Sequence, residues 1–249
     1  MNWSLIGWIF IGVSAILLAL FTFLFRSGKG YPIRKTEAVE AYKGSQVASI
    51  EEGRARQVLL GESFWTYVYP GLGLQALTIV PKLLDLETAV DGGMSLSGGD
   101  GSLAVFARQI VDGRYQDGFS TKLSPIGVRT TLPGVTPLSL TAGLLSELSL
   151  RPYGSLALLG HYGPAALLLA ETVIDKGGRV LGTAGTLAAQ AALFPSIQNL
   201  LIGEMTYMLP GLFKKSTGHQ AAWLTEDILR VLLILGLIVG AILKMIGVL

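Results

Sequence analysis

A chain of 249 residues that is 51% hydrophobic and only 14% charged departs from an ordinary soluble protein, of which about 25% is charged. It has no cysteine, which excludes a disulfide framework, a thiolate nucleophile and a thiolate metal site, and its two histidines give no paired-ligand spacing, so no metal is expected. The net charge of +2, with basic residues gathered beside the apolar ends instead of along a stripe, argues against nucleic acid as a partner.

The first element, Trp3 to Phe25, carries no charge and at about 1.5 Å per residue is long enough to span a hydrocarbon core of about 30 Å. A cleaved signal peptide has a shorter apolar region preceded by basic residues; here Arg26, Lys29, Arg34, Lys35 and Lys43 follow it. The reading is a transmembrane helix over residues 1–25, with the N-terminus outside and the next segment cytoplasmic by the positive-inside rule. At the other end, Val231 to Leu249 is apolar apart from Lys244 and is preceded by Lys214, Lys215 and Arg230, so a second transmembrane helix over 227–249 is expected to return the chain outward. Lys244 lies near enough to the end to snorkel to headgroups. Gly236 and Gly240 form a small-xxx-small pair suited to helix packing in a bilayer. These features place the protein in the plasma (inner) membrane with both termini outside.

Between the ends, residues 26–62 read as a basic juxtamembrane segment and a helical linker. Val39, Tyr42, Val47, Ile50 and Ala55 fall at roughly helical spacing, with Gly44 and Gly53 as weak points. Residues 63–226 read as a cytoplasmic α/β domain, beginning with an aromatic, β-branched strand at Phe64–Tyr69. Strands follow near Met94–Ser97, Gly127–Thr131, Ser155–Leu159, Arg179–Leu181 and Asn199–Ile202. Helices lie near Leu74–Leu86, Ser102–Asp112, Ser139–Leu148, Pro164–Ile174, Gly185–Ala192 and Glu204–Phe213. Short apolar strands alternating with helices predict a Rossmann-like, doubly wound parallel sheet covered on both faces. A polytopic alternative, with further crossings at Leu138–Leu150, Ser155–Thr172 and Val180–Phe194, fails because each run is broken by charge, glycine or proline, or is too short.

Candidate ligand positions lie in glycine-rich turns. Gly71-Leu72-Gly73-Leu74-Gln75-Ala76 matches G-x-G-x-x-A between an expected strand and helix, where glycines admit close backbone approach and a helix N-terminus receives a pyrophosphate. The ribose-binding acid expected about 20 residues on has no well-placed counterpart, since Asp91 precedes the next strand and Asp100 follows it. Gly98-Gly99-Asp100-Gly101-Ser102 is a second such turn, for which an N-cap by Asp100 or Ser102 is the bland explanation, and Gly182-Thr183-Ala184-Gly185-Thr186 a third. His161 at a strand end, Glu171 in the next helix and Glu204 opening the last helix could converge at the carboxyl edge of the sheet. No Ser-His-Asp order, H-E-x-x-H or phosphate-loop lysine accompanies them, so no catalytic set and no cofactor is expected.

Three strings together resemble a family of prokaryotic membrane proteins whose shared domain has no assigned function: Glu52-Gly53-Arg54-Ala55 with Leu60-Gly61, Leu168-Leu169-Ala170-Glu171 with the 182–186 turn, and Leu201-Ile202-Gly203-Glu204. The resemblance runs from about Ile33 to the C-terminal helix. It implies a cytoplasmic α/β domain beside membrane helices and marks Arg54, Glu171, Gly182, Thr183, Gly203 and Glu204 as pattern positions, without implying an activity. The family pattern has an acid before the leucine-isoleucine pair and a second glutamate after Glu204; Gln198-Asn199-Leu200 and Met205 stand there in this chain, which weakens any charge-dependent role. The functional expectation is a non-enzymatic scaffold or assembly subunit that forms homo-oligomers or docks on partner membrane subunits. A nucleotide or metabolite sensor or enzyme using the glycine turns is the alternative. A transporter or channel subunit is the third, and would need oligomerisation to form a pore.

Overall fold

The computed structural model describes residues 3–26, 36–61, 70–85, 93–116, 128–213 and 216–246. In chain order the elements are α1 (Trp3–Arg26), α2 (Glu37–Glu51), β1 (Ala55–Leu60), α3 (Pro70–Leu84), β2 (Met94–Gly98), α4 (Gly101–Gln116), β3 (Val128–Thr131), α5 (Pro137–Leu150), β4 (Tyr153–Leu159), α6 (Ala166–Asp175), β5 (Arg179–Thr183), α7 (Leu187–Leu193), β6 (Asn199–Leu201), α8 (Met205–Phe213) and α9 (Thr217–Met245). They divide into two units, Met1–Arg34 with Lys214–Leu249, and Lys35–Phe213.

In the first unit α1 packs against α9. Ser14 and Thr22 turn their hydroxyls back onto the carbonyls of Phe10 (2.8 Å) and Leu18 (2.7 Å), leaving an outer surface that is almost wholly apolar. Among the described residues Gly7–Arg26 is the helix long and apolar enough to cross a membrane, a property that membrane spans share with signal sequences. The apolar run expected to form a second span occupies the latter half of α9, which starts on the Ser216 cap and first carries Glu226, Asp227 and Arg230. Arg230 pairs with Glu226 at 2.7 Å, and from Val231 onward the exposed surface is apolar apart from Lys244.

The second unit is a six-stranded parallel sheet in the order β3-β2-β1-β4-β5-β6, the order of a doubly wound dinucleotide-binding sheet with its switch point between β1 and β4. One core layer joins α2, α3, α4 and α8 to one face through residues such as Tyr42, Val58, Ile79, Leu96, Leu103, Leu159 and Leu209. The other joins α5, α6 and α7 to the opposite face through Leu59, Leu144, Leu156, Leu158, Leu169 and Leu193. The strands expected from Met94 onward form within a few residues of their expected positions. The strand expected at Phe64–Tyr69 lies outside the described residues.

The central strand β1 was expected to be helix. Residues 55–60 instead form a strand buried throughout, within the compact unit Lys35–Phe213. Gly53, at φ +63°, ends α2 and sends the chain directly into β1, while Arg54 N–H returns to the Ser49 carbonyl at 2.8 Å. Polar residues hid the pattern. Arg56 and Gln57 are buried in β1, and Ser45, Gln46 and Ser49 are buried on the sheet-facing side of α2. Gln46 donates to the Ser155 hydroxyl at 2.6 Å, and the two serines bond back to helix carbonyls.

The two edges of the sheet differ in character. At the amino edge, charges pair and cap: Arg114 meets Asp85 at 3.0 Å, and Lys176 donates to the Leu148 and Ser149 carbonyls that end α5 (2.9 and 2.8 Å). Arg54 reaches the Lys176 carbonyl at 3.0 Å there. At the carboxyl edge, where the chain passes from strands into helices, Asp100, His161, Tyr162 and Glu204 are the titratable residues among the described positions that connect strand to helix.

Candidate functional site

Open parallel sheets place ligands at the carboxyl edge beside the switch point, which here is the junction of β1 and β4. Both strands end alike, Leu59-Leu60-Gly61 beside Leu158-Leu159-Gly160, in matched register. The two chains press together beyond the last pair. Gly61 N–H donates to the Leu159 carbonyl at 2.7 Å, and a Cβ on Gly61 would fall within the backbone of His161. Gly160 needs φ +122°, open to glycine, to make that approach. The buried Tyr162 hydroxyl then sits against the carbonyls of both Leu59 and Leu159, tying the strand ends across the junction.

Thr183, at the end of β5, spends its hydroxyl in the same place. It accepts from Gly160 N–H at 2.8 Å and donates to the Leu158 carbonyl at 3.0 Å. His161 stands over Gly185, where a Cβ would come within 2.7 Å of the imidazole Nδ1. Below them a cavity of about 10 Å³ is lined by Gln75, Gly160, Thr183, Thr206 and apolar residues including Leu72 and Leu209. That volume suits about one water, whereas small-molecule and cofactor pockets run to about 300 Å³ or more. Gln75 Oε1 is buried there without a hydrogen-bond partner among the described residues.

The other expected positions resolve individually. Gly71 and Gly73 lie inside the first turn of α3, not in a strand-to-helix turn. Pro70 begins the helix at a position where its missing N–H costs nothing, and Leu72, Ala76, Ile79, Val80 and Leu83 give it a buried face. Gly98 is a packing glycine, since a Cβ would lie 2.6 Å from the Ala104 amide nitrogen of α4, and Gly99 N–H bonds the Leu60 carbonyl at 2.6 Å. Asp100 caps α4: its Oδ1 accepts from Leu103 N–H at 2.8 Å and Ser102 Oγ at 2.6 Å, placing a carboxylate where an anion would otherwise sit. Thr186 caps α7 through Ala189 N–H at 3.2 Å, and Gly182 packs against Ile197 and Leu200.

His161 and Glu204 share the carboxyl edge but follow strands two places apart, about 10 Å at the usual strand spacing. Glu171 is not with them: it is exposed midway along α6 and accepts from Ser196 Oγ at 3.2 Å. Arg54 serves the amino edge, and Gly203, at φ +62°, turns the chain into α8. In α9, a Cβ on Gly236 or Gly240 would meet open space, so neither glycine is used in packing against α1. Gly61, which entered the sequence reading only through the resemblance, and Tyr162 were not expected as site positions, although the repeated Leu-Leu-Gly endings were a visible sign.

Two consequences are measurable. Tyr162→Phe removes the hydroxyl that bridges the strand ends while leaving the ring in its core, and is expected to lower stability by about 1 kcal/mol in a denaturant titration. Burial holds His161 below its ordinary value of 6.5. Because the unfolded chain takes up that proton first, the stability contributed by neutral His161 is full above about pH 6.5 and is lost as pH falls toward the folded value. A thermal midpoint that drops between pH 7.5 and 5.5, and drops less in His161→Gln, is the expected result.

Comparison of the chain with protein-family models, with curated proteins and with solved structures finds no match.

Proposed function

We propose that this protein is a membrane-anchored, non-catalytic assembly subunit whose α/β unit works on the cytoplasmic side through contacts with further copies or partner membrane subunits. The observation that carries this reading is the closure of the switch-point crevice by the chain's own atoms: Gly61 against His161, Tyr162 across both strand ends, and Thr183 saturated. In a sheet of this order, those contacts join the strand ends beside the place where a dinucleotide is received. The apolar, exposed surfaces of α1 and of α9 beyond Val231 support two crossings of the plasma membrane. The basic residues Arg26, Lys29, Arg34 and Lys35 on one side, and Lys214, Lys215 and Arg230 on the other, support an inward-facing domain with both termini outside. The open space beside Gly236 and Gly240 leaves that face of α9 to a neighbouring subunit.

The test is native mass spectrometry of protein extracted gently from its own membrane. A defined oligomer or a fixed partner set, without small-molecule mass, is the expected result. A monomer carrying a nucleotide-sized adduct overturns the proposal.

A further inference from the structure

The small cavity beside Gly160 and Thr183 brings two hydrogen-bond acceptors from different helices into one apolar space, and we infer that it is a binding site for a single internal water molecule that ties α3 to α8. Nothing in this site depends on how α1 and α9 are read. Gln75 comes from the second turn of α3 and Thr206 from the first turn of α8, two helices that pack on each other. The oxygen Gln75 Oε1 is buried without a hydrogen-bond partner among the described residues. Thr206 Oγ1 donates its one proton to the Leu201 carbonyl at 3.1 Å. A hydroxyl oxygen also carries two lone pairs, so Thr206 retains acceptor capacity on the cavity side. A carbonyl oxygen shut away from solvent costs free energy until a donor reaches it.

Size, charge and chemistry select water as the occupant. The volume of about 10 Å³ is that of one water and far below what a metabolite needs. No charged residue lines the space, so a cation there would lose its hydration without a counter-charge. What the two acceptors lack is donors. A water supplies two, one for Gln75 Oε1 and one for Thr206 Oγ1, which meets the two to four polar partners an internal water takes. The rest of the lining explains why that water is held and not part of bulk solvent: Leu72, Leu159 and Leu209 are each no more than 2% exposed. The bridge therefore joins α3 and α8 over the strand ends that Tyr162 and Thr183 already tie together.

The experiment is water-to-methyl cross-relaxation by NMR on the full chain in deuterated detergent micelles, with protons kept only at leucine methyl groups and exchangeable sites. Leu159 and Leu209 line the cavity; Leu144, fully buried in the opposite core layer, is the control. Water cross-peaks at Leu159 and Leu209 are expected to be at least about fivefold stronger than at Leu144, because an internal water touches the first two methyl sets at contact distance. Intensities equal to that of Leu144 mean a dry cavity and overturn the inference. Gln75→Met keeps the side-chain length and removes the carbonyl acceptor, and the Leu159 and Leu209 peaks are expected to fall to the Leu144 level. Both threonine hydroxyls remain in that variant, so peaks that persist in it arise from hydroxyl protons exchanging with solvent and overturn the inference as well. The leucine methyl spectrum itself verifies the fold of the variant. Thr206→Val, which removes the other acceptor, is the second variant and is expected to weaken the same peaks; unchanged peaks there count against the bridge in the same way.

Discussion

Replacing Gly61 with alanine is expected to destabilise the α/β unit by about 3 kcal/mol or more, a large part of the 5–15 kcal/mol that holds a typical domain. A Cβ at this position would lie closer than 3.0 Å to the backbone N, C and O of His161. Backbone cannot yield as a flexible side chain can. Relief would require β1 and β4 to separate, which breaks the bond from Gly61 N–H to the Leu159 carbonyl and pulls the Tyr162 hydroxyl from its two acceptors. The comparison variant is Gly44→Ala, on the exposed side of α2, where a Cβ meets nothing within 4 Å. A helix-interior glycine replaced without a clash should stabilise by about 0.5–1 kcal/mol. Urea titrations of the two variants should therefore move in opposite directions, and a Gly61→Ala midpoint equal to wild type would show that the strand ends are not locked.

The same contacts bear on the nucleotide-binding reading. The sheet order is that of dinucleotide-binding domains, and a glycine pattern of the right form stands at 71–76. Order and pattern are not in register, however. The pattern falls within α3, and the residues leaving β1 begin at Gly61, where the chain is packed against β4. Fold does not imply function, and at Gly61 the chain joins the two halves of the sheet.

The fold was legible where a local pattern and its burial agreed. Strands such as β4, with Leu156 to Leu159 in succession, are short apolar runs, and helices such as α6 place Leu169, Ala170 and Val173 on one buried face, so local pattern located them. It failed at α2 and β1, where burial falls on Ser45, Gln46, Ser49, Arg56 and Gln57. Their hydrogen bonds are made by residues distant in sequence, Gln46 with Ser155 and Gln57 with Ser97, so nothing local marked them as interior. The candidate site was harder still. Asp100 and Thr186 were recognisable as helix caps because a cap is set within three residues of chain. The Gly61–His161 approach spans a hundred residues and depends on which strands pair.

Leu158→Ala is the second large effect expected, at about 2–5 kcal/mol. Leu158 is fully buried in β4, pairs in register with Leu59 and Gly182, and belongs to the layer formed with α5, α6 and α7. Truncation leaves a cavity between two flanking strands and a helix layer, where little can collapse inward, so the upper half of that range is expected from the denaturant midpoint. Leu187→Ala, in the first turn of α7 on the same face, removes the same atoms from an 81% exposed site and should change stability by less than about 0.5 kcal/mol. The pair separates two settings of one residue type: a Leu187→Ala variant as costly as Leu158→Ala would mean that Leu187 is part of the folded interior, against its 81% exposure.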